Sequence, residues 1–316
     1  MAHDHRIKGI DCDADTLAGI RKALTERFDH MSRLRQEAIK WKDPEGVHSM
    51  RVASRRLRSA VSDFLPYVNK RGFSSFLKQI RSIADALGEV RDQDVAILAL
   101  EKLESEIPEE LSATLQELIK TRKEIRRIAR QELKRILVKE HIKDLSNDFE
   151  DALNRATELR GASKASSTFS GSYKDTAKRV IRDRLVELEK LSVSLYQPLE
   201  ATQLHEMRIG AKRLRYSIEL FSDCLSDSIL PFAKSSARLQ TALGRVHDCD
   251  VWIQSLRDEI LESKKLKQQE QTKMFTWLFT HFTEIRNTHF QEAFSLWEAW
   301  ETGHSSEKLK EKLTAS

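Results

Sequence analysis

Hydrophobic residues recur at steps of three and four along most of this chain, which is the spacing of one face of an α-helix. The first stripe runs from Leu17 to Leu34 and ends before the proline-containing stretch KDPEG. Seven similar stripes follow, so the pattern predicts an all-α protein with about four helices in each half. They run over 47–64, 76–87, 111–133, 180–191, 205–221, 239–256 and 274–300.

Two blocks of sequence occur twice, in the same order. VHSMRVASRRLR at 47–58 returns as LHEMRIGAKRLR at 204–215, with six identical residues, and LGEVRDQDV at 87–95 returns as LGRVHDCDV at 243–251. The offsets of 157 and 156 predict an internal duplication. We expect two four-helix bundles related by a pseudo-twofold axis, at 1–160 and 173–316, joined by a linker at 161–172 that is rich in Ser and Gly.

The first copy of the 47–58 block predicts an amphipathic helix whose charged residues are all positive. With His48 at zero, a helix of 100° per residue places Arg51, Arg55 and Arg58 at about 300°, 340° and 280°. The opposite side, between about 160° and 220°, is apolar and carries Met50, Leu57, Val61 and Phe64. The second copy repeats the arrangement, with His205, Arg208, Lys212 and Arg215 opposite Met207, Leu214, Ile218 and Phe221.

A charged helix face is ordinarily a solvated surface on which both signs alternate. Here residues 48–58 contain no Asp or Glu, and 205–215 contain only Glu206, at about 100° and so outside the basic sector. Like charges at this spacing cost roughly 0.2 to 0.5 kcal/mol per pair unless an anion relieves them. The net charge of +5, from 54 basic and 49 acidic residues, is modest. The distribution of charge, and not its total, therefore predicts an anionic ligand.

HSMRVASRRLR and HEMRIGAKRLRY resemble the two signature helices of the CHAD domains, the conserved histidine α-helical domains, and LGEVRDQDV and LGRVHDCDV resemble the second block of that family. The resemblance implies two four-helix bundles that face each other across a central basic channel. It further implies binding of inorganic polyphosphate without catalysis, a cofactor or a metal. The channel residues implied by position are His48, Arg51, Arg55, Arg56 and Arg58, with His205, Arg208, Lys212, Arg213, Arg215 and Tyr216.

The second repeated block suggests supporting roles. Gly88 and Gly244 interrupt helices at a cost of roughly 1 kcal/mol each, which usually indicates a close approach of another helix. The aspartates Asp92, Asp94, Asp248 and Asp250 are expected to hold arginines of the neighbouring signature helix, since carboxylates repel phosphate. Arg81 and Arg238 occupy matching places upstream and are candidates to extend the basic lining.

Two other functions stay open at this point. His247 and Asp248, with His205 and Asp250, are residue types that hold a metal in phosphohydrolases, although the counterpart of His247 is Arg91, which cannot ligate one. The basic run KTRKEIRRIARQELKR at 120–135 could follow the phosphate backbone of RNA or DNA, but it lacks aromatic residues for base stacking.

Cellular location is constrained only weakly. The three cysteines Cys12, Cys224 and Cys249 are an odd number without close CxxC spacing, so the sequence suggests neither a disulfide framework nor a zinc motif. The polar N-terminus lacks a secretory signal, and no stretch of 18 apolar residues occurs. We expect a cytoplasmic protein, and the resemblance leaves open an association with polyphosphate granules.

Overall fold

The computed structural model describes residues 7, 9–40, 44–157 and 171–315. Over these residues the regular structure is helical, apart from one isolated β-bridge between Asp15 and Ser172. The predicted all-α class is therefore confirmed. The chain divides into two compact units, with the boundary after Tyr173. The predicted linker at 161–172 lies outside the described residues except for its last two positions.

The first unit contains six α-helices within its described residues. They are α1 (Thr16–Arg33), α2 (Arg35–Lys40), α3 (Glu45–Phe64), α4 (Ser74–Lys102), α5 (Ser112–Ile136) and α6 (Lys139–Thr157). The expected number of about four was too low, mainly because α6 was overlooked. This helix carries Phe149, which stacks on Phe28 of α1 at 4.3 Å between ring centroids and lies 5.2 Å from Phe76 of α4. An aromatic cluster thus joins three helices of the first unit.

The second unit contains five α-helices within its described residues, two of them long. They are α7 (Tyr173–Leu191), α8 (Ala201–Phe221), α9 (Leu230–Lys265), α10 (Gln269–Thr302) and α11 (Ser305–Ala315). The first residue of α7, Tyr173, belongs to the first unit. Stacking of Trp252 on Phe282, with centroids 4.8 Å apart, joins α9 to α10. Gly210 allows α8 to pack on α7, because a Cβ there would lie 2.9 Å from a methyl carbon of Leu191.

The core of each unit holds the signature helix by its apolar side. Met50, Leu57, Val61 and Phe64 of α3 are all 0% exposed, and so are Met207, Leu214, Ile218 and Phe221 of α8. Burying a side chain of this size contributes about 1.5 to 3 kcal/mol, so the rotation of each helix about its axis is fixed by several such contacts. Among the described residues, no helix is both long and apolar enough to cross a membrane.

Candidate anion-binding site

The basic side of each signature helix lies partly exposed, opposite its buried apolar side. We call His48, Arg51, Arg55 and Arg58 the α3 basic face, and His205, Arg208, Lys212 and Arg215 the α8 basic face. All eight side chains are partly exposed. This placement agrees with the helical-wheel prediction, because the rotation that buries Met50 and Met207 directs these residues away from the core.

Arg51 lies across α4 and is held there by a carboxylate. Its guanidinium donates to Asp92 at 3.2 Å, as predicted for this aspartate. A Cβ added at Gly88 would meet the nitrogens Nε and Nη2 of Arg51 at 3.8 Å, with no other neighbouring atom of the described residues within 4 Å. An alanine Cβ at position 88 would thus make only ordinary contacts with the Arg51 side chain, and the expected close approach of another helix at this position was wrong.

The same arrangement occurs in the second unit, where a Cβ at Gly244 would lie 3.9 Å from Cδ of Arg208. Arg51 and Arg208 occupy matching positions of the first repeated block, and Gly88 and Gly244 occupy matching positions of the second. In both units, then, an arginine of the signature helix extends over a glycine of the following long helix.

Asp94 and Asp250 do not hold signature arginines, so that prediction was wrong for them. Asp94 is 1% exposed and accepts from Arg126 of α5 at 3.1 Å, while Asp250 accepts from Arg286 of α10 at 2.5 Å. The reason is geometric. Residues two apart on a helix point about 200° away from each other, so Asp92 and Asp94 face different neighbours.

Two histidines meet at the α8 basic face. Nδ1 of His205 lies 3.1 Å from Nδ1 of His247 and 3.3 Å from Nη2 of Arg208. Because an arginine N–H can only donate, the His205 Nδ1 accepts here, and the proton of the neutral ring lies on Nε2. His205 thus has an N–H donor directed away from its protein partners.

Burial and surrounding positive charge keep these imidazoles neutral. Burial, and then the charges of His247, Arg208 and Lys212, lower the pKa of His205 to about 4 against the opposing charge of Glu206. The pKa of His247 is also lowered, by burial and then by Arg208.

His48 of the α3 basic face has the same property. Its pKa is lowered by burial, then by Arg91, and further by Arg55 and Arg51, while Glu45 acts in the opposite direction. Near neutral pH each signature helix therefore presents one uncharged imidazole among arginines or lysine.

Arg91 and His247 are part of these surroundings, although neither was among the predicted site residues. Both occupy the fifth position of the repeated nine-residue block, where each half carries a basic side chain, and that match was the available signal. The metal site considered for His205, His247, Asp248 and Asp250 does not form. In the part of the chain that the structure describes, no three His, Cys, Asp or Glu residues come together to hold a metal ion.

Three residues implied by the resemblance, Arg56, Arg213 and Tyr216, lie outside the two basic faces, and Arg215 of the α8 basic face has a carboxylate partner. Arg56 and Tyr216 are buried, with 7% and 5% exposure, and the Arg215 guanidinium lies 5.4 Å from the Tyr216 ring centroid. Arg213 pairs with Glu187 of α7, and Arg215 pairs with Glu219 at 2.7 Å. Arg56 and Arg213 each lie eight residues after the histidine, at about 80°, which is outside the basic sector.

The two upstream arginines behave differently from each other. The charge of Arg81 lowers the pKa of Arg58, after the larger effect of burial, so Arg81 lies beside the α3 basic face. Arg238 is exposed on α9, but the α9 residue that accepts from Arg215 is Gln240, at 3.3 Å. Since these positions are two apart, Arg238 points away from that contact.

Comparisons with known proteins agree with the sequence resemblance. The family model of the CHAD domain matches residues 22–257. The crystal structure of the CHAD domain from the plant Ricinus communis superposes with a TM-score of 0.71 at 22% identity, covering 93% of this chain and 95% of that one. No curated protein sequence matches this chain.

The geometry of the glycines predicts opposite effects of the same substitution. Gly88→Ala should raise the free energy of unfolding by about 0.5 to 1 kcal/mol, because alanine favours a helix interior and its Cβ meets only ordinary contacts. Gly46→Ala is the matched comparison, because the new Cβ would lie 2.6 Å from the carbonyl oxygen of Glu37. This substitution should lower the free energy of unfolding by about 1 to 3 kcal/mol. Denaturant unfolding measures both. Destabilisation by Gly88→Ala would restore the close-approach explanation.

Proposed function

Because the chain belongs to the CHAD domain family, we propose that it binds inorganic polyphosphate through the α3 and α8 basic faces and acts by binding, without catalysis. The observation that carries the proposal is the shared construction of the two faces. Each places an arginine over a glycine of the following long helix, beside an imidazole that burial and then positive charge keep neutral. The matched region, 22–257, contains both faces.

The donors on these faces suit a polymer that offers only phosphate oxygens. A guanidinium has five N–H donors in a planar fork, and Arg51 donates through Nη2 to Asp92. The carboxylate helps to fix the direction of the arginine side chain. His48 and Arg58 lie about 15 Å apart along the helix axis, at 1.5 Å per residue, so several successive phosphates can be contacted.

Each imidazole contributes in a different way from the arginines. While neutral, it adds an N–H donor without adding to the repulsion on its face. A bound polyanion supplies negative charge beside the ring and so raises its pKa toward protonation. Binding of the anion should therefore be accompanied by uptake of protons.

Three tryptophans of the second unit do not favour base recognition. Trp252 stacks on Phe282, and Trp297 and Trp300 are 3% and 5% exposed, so these rings pack within the protein. Single-stranded nucleic acids are usually bound by exposed aromatic rings on which bases stack. Recognition of phosphate alone fits the basic faces better.

Charge reversal tests the two faces together. Arg51→Glu with Arg208→Glu should abolish measurable affinity for long-chain polyphosphate, because each lost charge-assisted hydrogen bond is worth about 1.5 to 3 kcal/mol and repulsion is added. The protein should stay folded, since both side chains lie opposite the buried apolar side. Calorimetric titration measures the affinity, and its dependence on salt should become weaker in the variant.

The matched control is Lys120→Glu with Arg135→Glu, which makes the same change of charge at side chains that are 79% exposed on α5. We expect a loss of only a few-fold. Near wild-type affinity and an unchanged salt dependence in the Arg51, Arg208 variant would show that polyphosphate binds elsewhere.

The lowered pKa values predict how binding depends on pH. The free histidines stay neutral until the pH falls to their lowered pKa, about 4 for His205, whereas bound polyphosphate raises these pKa values. Between the two pKa values the complex holds more protons than the free protein. Affinity should therefore rise as the pH falls from 8 to 5.5, and calorimetry in buffers of different ionisation enthalpy should detect proton uptake.

A long polymer is required for this measurement, because its terminal phosphates are few and their own titration is negligible. The double variant His48→Gln, His205→Gln keeps side-chain N–H donors but cannot titrate. It should reduce the proton uptake and flatten the pH dependence. Affinity of the wild-type protein that does not change between pH 8 and 5.5 would contradict the proposed role of the imidazoles.

A further inference from the structure

The first unit contains a second basic feature, a cleft between α2 and α5, which we call the α2–α5 cleft. Its volume is about 750 Å³, within the range of small-molecule sites. Six of its eleven lining residues are Lys or Arg, and of those described residues none is Asp or Glu. The lining consists of Ala38, Ile39, Lys40, Pro44, Lys123, Arg126, Arg127, Arg130, Gln131, Leu133 and Lys134.

Carboxylates outside the lining pair with three of these basic residues. Arg126 donates to Asp94 at 3.1 Å, Lys123 pairs with Glu101 at 2.8 Å, and Arg127 pairs with Glu124 at 2.7 Å. Arginine retains further N–H donors after one such contact. Burial and then the charge of Arg126 lower the pKa of Arg130 to about 10, against the opposing charge of Asp94.

The cleft begins where the α3 basic face ends. Pro44 lines the cleft, and its carbonyl oxygen accepts the backbone N–H of His48 at 3.1 Å, so the two features are one helical turn apart. A second connection runs through α4. Arg91 of α4 lowers the pKa of His48. Asp94 lies one turn further along the same side of α4 and accepts a hydrogen bond from Arg126 in the cleft wall.

The other wall of the cleft is held in place by α3 itself. The Cβ position of Gly46 lies 2.6 Å from the carbonyl oxygen of Glu37 and 3.1 Å from the backbone nitrogen of Ala38. Only a glycine allows the α2 backbone to lie so close to the first turn of α3. The lining of α2, including Lys40, is therefore positioned relative to the start of the α3 basic face.

The second unit lacks the helix chemistry that forms this cleft. α5 carries eight Lys or Arg residues, whereas α10, whose Arg286 matches Arg126 in holding the repeated aspartate, carries two, Lys273 and Arg286. The two halves thus share their signature helices but differ in the fourth long helix. The extra positive charge of α5 needs an explanation that the repeated blocks do not supply.

We propose that a polyphosphate chain bound on the α3 basic face continues past His48 into the α2–α5 cleft. The inference rests on the proposed function and extends it to a preference for long chains. A phosphate segment that leaves the α3 basic face reaches the cleft as part of the same molecule, so its effective concentration there is high. A chain too short to span both features gains nothing from the second.

The test compares a long polyphosphate with tripolyphosphate on two matched variants. Lys40→Gln with Lys134→Gln removes two exposed charges from the cleft without disturbing the buried Asp94. Lys120→Gln with Arg135→Gln removes two exposed charges from α5 outside the cleft. We expect the cleft variant to lose about tenfold in affinity for the long chain, as for one lost charge-assisted hydrogen bond or more. Its affinity for tripolyphosphate should stay within about twofold of the wild-type value.

Other results separate failure of the inference from failure of the proposed function. If the cleft variant loses no more long-chain affinity than the control, the cleft takes no part in binding. If it loses as much affinity for tripolyphosphate as for the long chain, the cleft is an independent anion site and not a continuation. Both results would overturn the inference while leaving the basic faces intact, whereas unchanged binding after Arg51→Glu with Arg208→Glu would remove the proposed function itself.

Discussion

Like charges lie close together on the basic side of α3 and repel one another, so the helix needs other contacts to hold them in place. Arg51, Arg55 and Arg58 repel one another, and α3 offers them no acidic partner on that side. The helix keeps this face because its other side is anchored in the core by residues that are 0% exposed, such as Met50 and Leu57. Core packing therefore stabilises an arrangement of charge that local interactions disfavour, and a bound polyanion would relieve the repulsion.

In each unit the signature helix contacts the following long helix. Asp92 of α4 pairs with Arg51, and His247 of α9 contacts His205. Burial and neighbouring positive charge lower the pKa of both signature histidines, which avoids one further positive charge on each face in the free protein. Under the proposed function, a bound anion would raise these pKa values, whereas the arginines are permanently charged.

Periodicity and repetition were sufficient to predict the helical class and the orientation of α3 and α8, because burial of an apolar stripe determines how a helix is rotated. They were insufficient for side-chain partners between helices. Asp94 was assigned to α3 and contacts α5, since its two residues of separation from Asp92 rotate its side chain by about 200°. Arg56 and Arg213 were predicted as site residues from the family resemblance alone. At 100° per residue both lie outside the basic sector of their helices.

Under the proposed function, the basic faces recognise a chain of phosphates and not a nucleic acid backbone. Displacement of labelled long-chain polyphosphate from the wild-type protein tests it most directly, with unlabelled polyphosphate, RNA and single-stranded DNA compared at equal phosphate concentration and fixed salt. If the basic faces are specific for polyphosphate, unlabelled polyphosphate displaces the label at a far lower phosphate concentration than either nucleic acid. Equal displacement by RNA would contradict it and would make the protein a general binder of phosphate backbones.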